Sequence, residues 1–265
     1  MNAHRSTLRV TVLASGSRGN AALFEAGDTR VLVDAGVPVH TLRQRMIASG
    51  CAHPPTAVVL THAHADHHGC VDEVASHFKV PVYLTESVQR CVGVTRAPSV
   101  RVYGAREPFP LGDFVVRPCA LPHDAPQVAL RFEHASGSAV IATVLGEVPE
   151  GLERLLRGAR IALVESNHDL PMLWAGPYSR GLKRRVASPR GHLSNEQAHA
   201  LLRTLDRDVE TVVLMHLSET NNRPELARDV AADALADHPA RLLLASQSSP
   251  VQVEVAPPRQ LPLFG

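Results

Sequence analysis

At 265 residues, with 45% hydrophobic and 20% charged content, the chain is long enough to bury a full core. A formal net charge of +1 excludes a polycation that holds nucleic acid by its overall charge. No apolar run approaches the roughly 18 residues that span a bilayer, and the stretch 10–14 is too short for a signal-peptide core, so a soluble cytoplasmic protein with no membrane partner is expected.

Short apolar runs that end in turn residues predict strands at 8–14, leading into SGSRGN, and at 22–25 and 30–34 around the turn at Gly27 and Asp28. A helix at 41–47 follows, then a strand at 57–60 that runs directly into THAHADHHG, residues 61–69. Next come a helix at 71–78, strands at 80–84, 100–103, 114–119, 128–133 and 139–144, a helix at 151–156 and a strand at 161–165. The last elements are a helix at 195–205 starting at Asn195, a strand at 211–215, a helix at 224–236 starting at Pro224, and a strand at 241–244. Strands followed by helices in both halves, with hairpins between, predict an α/β protein: two sheets face to face with helices outside, in one domain over 1–256. The widely spaced Cys51, Cys70, Cys91 and Cys119 form no redox or thiolate metal motif and are read as small buried hydrophobes.

The histidine-rich stretch follows an apolar strand, so it belongs on the loop at that strand's carboxyl end, where open α/β sheets gather ligands. His62 and His64, two apart, offer nitrogens to one ion, while Asp66 and His67 reach a neighbouring point with one hard oxygen and one nitrogen. A merely solvated loop would have to gather five potential ligands within seven residues straight after a buried strand. His68 is left over, to pack beneath the loop. Four or five ligands do not complete two sites, and His123 in LPHD and His216 in MHLSETNN, both at strand ends, are read as the missing ones. Residues 176–195 carry Arg180, Lys183, Arg184, Arg185 and Arg190 with no acidic residue; a solvated helix face is the plain reading, and a position beside a reactive site changes it.

THAHADH matches the H-x-H-x-D-H motif of the metallo-β-lactamase fold, and LVDAG at 32–36 matches the motif that precedes it there. With SGSRGN, ESNHD at 165–169, LKRR at 182–185, GHLSN at 191–195 and HLSETNN at 216–222, the chain resembles the YycJ/WalJ exonuclease branch from about Val10 to about Ala236. The resemblance implies a four-layer αβ/βα sandwich with a metal cleft at one edge, and phosphodiester hydrolysis on DNA, as a 5′-to-3′ exonuclease in repair or replication. It implies one or two divalent ions, Zn or Mn. His62, His64 and His123 would hold one, and Asp66, His67 and His216 the other, with Asp34 behind them orienting a ligand. Asp66 is then also catalytic, His168 and His192 contact the scissile phosphate, and the five cations of 176–195 hold the flanking phosphates of DNA.

One position departs from that pattern. Relatives carry an aspartate in a TD-x-G sequence whose carboxylate bridges the two ions; here the stretch reads IATVLGE, and Val144 stands there. The loss removes one ligand and one negative charge from each ion and weakens the Asp66, His67, His216 site most. Either catalysis survives with one or two ions, or Glu147 or Asp124 replaces the bridge, or the protein binds DNA without cleaving it. Hydrolysis of a small ester, thioester or lactam is the alternative within enzymes.

The chain closes on APPR and QLPLFG. Pro257 and Pro258 predict an extended tail, 257–265, and QLPLF resembles the peptide by which bacterial DNA-processing enzymes dock on the replication sliding clamp through Gln260, Leu261, Leu263 and Phe264. Deleting residues 260–265 is expected to abolish binding to the clamp in a pull-down or surface-resonance assay while leaving the melting temperature unchanged; equal clamp binding by the truncated chain would refute the docking role.

Overall fold

The computed structural model describes residues 7–51 and 53–257. The clamp-peptide residues Gln260, Leu261, Leu263 and Phe264 lie outside them. In chain order, the described residues form β1 (Leu8–Ala14), β2 (Ala21–Ala26), β3 (Thr29–Val33), α1 (Val39–Ala48), β4 (Ala57–Val59), α2 (Ala65–His68), α3 (Val71–Phe78), β5 (Val82–Thr85), α4 (Glu86–Gln89), β6 (Val100–Tyr103), β7 (Phe109–Leu111) and β8 (Phe114–Ala120). The second half adds β9 (Val128–His134), β10 (Gly137–Ala142), α5 (Glu150–Leu156), β11 (Ile161–Glu165), α6 (Leu170–Ala175), α7 (Arg180–Val186), α8 (Asn195–Leu202), β12 (Thr211–Met215), α9 (Pro224–Ala234), β13 (Arg241–Leu244) and β14 (Val251–Val255).

Two seven-stranded sheets result, with strand orders β14-β1-β2-β3-β4-β5-β6 and β13-β12-β11-β10-β9-β8-β7. Alternation along the strands sends side chains to opposite faces. Phe24 thus points between the sheets, where its ring stacks on Phe132 at 4.2 Å, while its neighbour Leu23 points outward toward the helices. The inner core joins Val10, Val31 and Val59 of one sheet to Leu130, Ile141 and Leu163 of the other. Outside, Leu42 and Met46 of α1 and Val74 of α3 cover the first sheet, and Leu152, Leu201 and Ala227 from α5, α8 and α9 cover the second. This is the four-layer αβ/βα sandwich of the metallo-β-lactamase fold. Strands β3 to β6 run parallel, as do β10 to β13. Their carboxyl ends therefore open on one edge, and the functional residues gather there.

Several expectations need correction. The histidine stretch is not all loop: Ala65–His68 closes a helical turn, and His68 is half-buried on it rather than sealed beneath it. Cys51 is buried, but Cys70 and Cys119 are partly exposed and Cys91, in the turn after α4, is exposed. Strand β10 stops at Ala142, two residues short of the reading, because Val144 turns into the left-handed region at φ 62°. Strands β7 and β14 and helices α6 and α7 were not anticipated; they are three to seven residues long, too short for periodicity to stand out. Among the described residues no helix is long and apolar enough to cross a membrane.

Candidate metal centre

Among the described residues, three of the four non-glycine residues with left-handed backbone lie at strand ends facing the open edge: Asp34 after β3 (φ 61°), Val144 after β10 (φ 62°) and His216 after β12 (φ 56°). The left-handed turn stops each strand and redirects its next side chain. Asp34 is 2% exposed and joins two strand ends: Oδ1 accepts from the Thr61 amide at 2.8 Å, and Oδ2 accepts from the Thr61 hydroxyl and from His67 Nδ1, each at 2.7 Å. The SGSRGN turn lies against α2. Asn20 donates its amide to the Asp66 carbonyl at 2.7 Å, and its side chain donates toward Asp66 Oδ2 at 3.3 Å. Gly36 permits this approach, since a Cβ there would stand 1.8 Å from the Asp66 carbonyl oxygen.

Among the described residues three groups bring their ligand atoms within 4.8 Å of one another: a first triad, His62, His64 and His123; a second, Asp66, His67 and His216; and Glu165 with His192 and His216 behind them. Their tautomers follow from what the other ring nitrogen touches. A carbonyl or carboxylate can only accept, so the nitrogen that is hydrogen-bonded to it carries the proton. His62 Nδ1 faces the Pro126 carbonyl at 3.0 Å, and His123 Nδ1 faces the Gly191 carbonyl at 3.1 Å. His67 Nδ1 donates to Asp34, and His216 Nδ1 donates to Glu165 Oε1 at 2.8 Å. In both His62 and His123 the bare Nε2 is buried without a hydrogen-bond partner among the described residues. Asp124 Oδ1 stands 3.0 Å from His123 Nε2 and 3.4 Å from His64 Nε2. Lone pairs and a carboxylate oxygen converging without protons between them repel unless a cation lies there, so the donor set fits a divalent ion.

Burial, with the neighbouring rings, holds the His62 imidazolium far below its ordinary range, and burial with His192 beside it lowers His123 to about 4. Both rings are therefore neutral at pH 7 and ready as ligands. The second triad is charged instead. Burial opposes ionisation of both Asp66 and His216, but their mutual hydrogen bond, with His67 and Glu165 adding to it, wins: Asp66 falls well below the carboxylate range and His216 rises to about 9.

Glu165, the last residue of β11, is fully buried. Its Oε1 accepts from His216 Nδ1 at 2.8 Å and from His192 Nδ1 at 2.9 Å, while Oε2 accepts from the Leu145 and Leu193 amides at 3.1 and 3.0 Å. Burial penalises this carboxylate, yet His192 and His216 hold it well below its ordinary range. The His192 ring lies 5.5 Å from the His123 ring and 5.2 Å from the His216 ring, centroid to centroid, beside both triads. His168 is 1% exposed, with neither ring nitrogen hydrogen-bonded among the described residues. Of the cations, Arg185 donates to Asp124 Oδ2 at 2.5 Å at the mouth of the first triad; Arg180, Arg184 and Arg190 are exposed, with no carboxylate in salt-bridge range among the described residues. Val144 is 1% exposed and belongs to none of the three apolar clusters. Glu165 and Asn20 escaped the residue-level reading; an acid ending the wholly apolar run IALVE was the available signal for the first.

Residues 29–217 match the family described as the Beta-lactamase superfamily domain. The chain is 31% identical over 239 residues to a protein named Exodeoxyribonuclease WalJ from Streptococcus pneumoniae, spanning 86% of this chain and 88% of that one. It is 29% identical over 228 residues to Exodeoxyribonuclease YycJ from Bacillus anthracis, spanning 83% and 86%. Its fold is similar to the crystal structure of the metallo-beta-lactamase fold protein YhfI from Bacillus subtilis, with TM-score 0.70 at 18% identity, covering 93% of this chain and all of that one. It is also similar to a diphosphatase of the PhnP family, with TM-score 0.66 at 19% identity, covering 94% and 99%.

The raised His216 sets a sign for pH dependence without metal. Stability from its proton is fully present below the unfolded pKa of roughly 6.5 and is lost as pH rises through about 9. The melting temperature of chelator-treated protein is expected to fall across that window, and saturating divalent metal, which takes the proton's place, is expected to flatten the fall. A metal-free melting temperature that climbs from pH 7 to 10 would contradict this charge state.

Proposed function

The chain belongs to the β-lactamase superfamily, and from that membership we propose that it is a metal-dependent DNA phosphodiesterase, an exonuclease working from 5′ ends in repair or replication. The observation that carries the reading is the convergence of His62, His64 and His123 on one point, Nε2 of His62 and of His123 lacking a partner among the described residues, with Asp66, His67 and His216 beside it and His192 between. The two triads would each hold a divalent ion, Zn or Mn being the best fit to mixed imidazole and carboxylate donors. Such an ion supplies Lewis-acid stabilisation of charge developing on a phosphoryl group and acidifies water at neutral pH.

The remaining roles fall to the chain's own side chains. His192, with Nδ1–H fixed on Glu165, turns Nε2 to the cleft, where it can hydrogen-bond the scissile phosphate or pass a proton to the leaving oxygen. The two unsatisfied nitrogens of His168 support a further contact to the same group. Arg180, Lys183, Arg184, Arg185 and Arg190 hold flanking phosphates as sequence-independent positive charge. Asp124 takes over the charge of the absent bridging aspartate. It lies within 3.4 Å of two ligand nitrogens and is kept ionised, against the cost of its burial, by Arg185 and His123. Glu147, by contrast, has no hydrogen bond or ion pair with either triad among the described residues. A reducing, cytoplasmic setting belongs to this reading and is supported by the four free cysteines.

The test measures bound metal and degradation of end-labelled DNA with Mn²⁺ or Zn²⁺ for the native chain, Asp124→Asn and Val144→Asp. Native protein should bind at least one ion and shorten DNA from its 5′ end. Asp124→Asn should weaken metal binding by about tenfold or more, and Val144→Asp should strengthen retention of a second ion. A native chain that neither binds metal tightly nor cleaves any phosphodiester would show the hydrolase reading to be wrong.

A further inference from the structure

Glu165 and His192 are hydrogen-bonded although 27 positions apart, so the residues between them leave the cleft and return to it. This excursion carries α6 and α7. Its outgoing leg is tied to the second triad, with Asn167 Nδ2 donating to the His216 carbonyl at 2.8 Å and Asp169 capping α6 by accepting from the Met172 amide at 2.9 Å. Its returning leg is tied to the first triad through Arg185 on Asp124 and the Gly191 carbonyl on His123. None of the residues of α7 is buried.

Trp174, the sole tryptophan of the chain, sits on α6 with 52% of its surface exposed, while its neighbour Leu173 is 0% exposed. Helix α6 therefore anchors itself through leucine and holds the larger indole out. Leu182 on α7 is also exposed, and Lys183 Nζ donates to the Trp174 carbonyl at 2.7 Å, joining the two helices. A half-exposed indole next to a segment of five cations without an acid combines the two features that bind a single nucleic-acid strand: a flat apolar face for a base and positive charge for its backbone.

We propose that Trp174 is a stacking platform for an unpaired base of a DNA strand entering the cleft, with Arg180, Lys183 and Arg184 holding the adjoining phosphates. The proposal rests on the nuclease reading and adds strand preference to it. Bases inside a duplex are stacked on one another and offer no free face, so the platform favours single-stranded ends. Phosphate contacts alone would not distinguish the two.

Because Trp174 is the sole tryptophan, its fluorescence reports the contact directly. Metal-stripped protein in chelator, where nothing is cleaved, is titrated with a short oligo(dT), and binding is followed in parallel by anisotropy of a labelled strand. Addition of oligo(dT) should quench Trp174. Trp174→Ala should weaken single-strand binding by about tenfold, Trp174→Phe should retain most of it, and neither should alter binding of a blunt duplex or the amount of metal taken up afterwards. If oligo(dT) binds without quenching and equally to Trp174→Ala, the platform is overturned while the nuclease reading stands. If the native chain neither binds oligo(dT) nor cleaves DNA when metal is restored, both fall.

Discussion

The carboxylate of Glu165, sealed from solvent, holds the open edge of this sandwich together. Burying a charge costs several kcal/mol unless it is paired and its lone pairs are filled. Here two imidazoles fill one oxygen and two backbone amides the other. Those four donors belong to segments far apart in the chain: the end of β12, the turn after β10 and the return of the α6–α7 excursion. Removing the charge would release all of them together. Asp34 does the same on the other sheet, tying β3 to the residues after β4 and fixing His67. The candidate metal centre is thus built on two buried acids, and His62, His67, His123, His192 and His216 each turn Nδ1 to a support.

Much of this was legible in the chain. The run from AVVL into THAHADH brought together four candidate metal-centre residues at once, because a buried strand leading into clustered imidazole has few other uses. His123 and His216 were legible as strand-end residues, and β1, α3, β11, β12 and β13 have the bounds that their apolar runs predicted. What could not be read was orientation. Nothing in the spacing says that Asn20 reaches across to Asp66, that Glu165 lies beneath two histidines, or that Asp124 faces the first triad, since those contacts are set by loops crossing between sheets. The elements α6 and α7 were lost because six and seven residues are too few for periodicity to stand out, and with them went the place of Trp174.

Val144 is where backbone and side chain disagree. A β-branched residue in the left-handed region costs on the order of 1–3 kcal/mol and persists only when its surroundings impose it. They do so on both sides: the Thr143 carbonyl accepts from Gln127 at 2.5 Å, and the Leu145 amide donates to Glu165. The turn therefore has the shape suited to an aspartate, which tolerates that conformation, but holds a side chain that can ligate nothing. Charge balance in the cleft must come from elsewhere, and Asp124, gripped by Arg185, is the carboxylate within reach of the first triad.

We propose that this cleft binds a divalent ion without a bridging aspartate, using Asp124 in its place. Anomalous diffraction from crystals saturated with Mn²⁺ or Zn²⁺ tests it most directly. The expected result is an ion bound by Nε2 of His62, His64 and His123 with an Asp124 oxygen among its ligands. A cleft that stays empty at saturating metal, or an ion held there with Asp124 still turned wholly to Arg185, would contradict it.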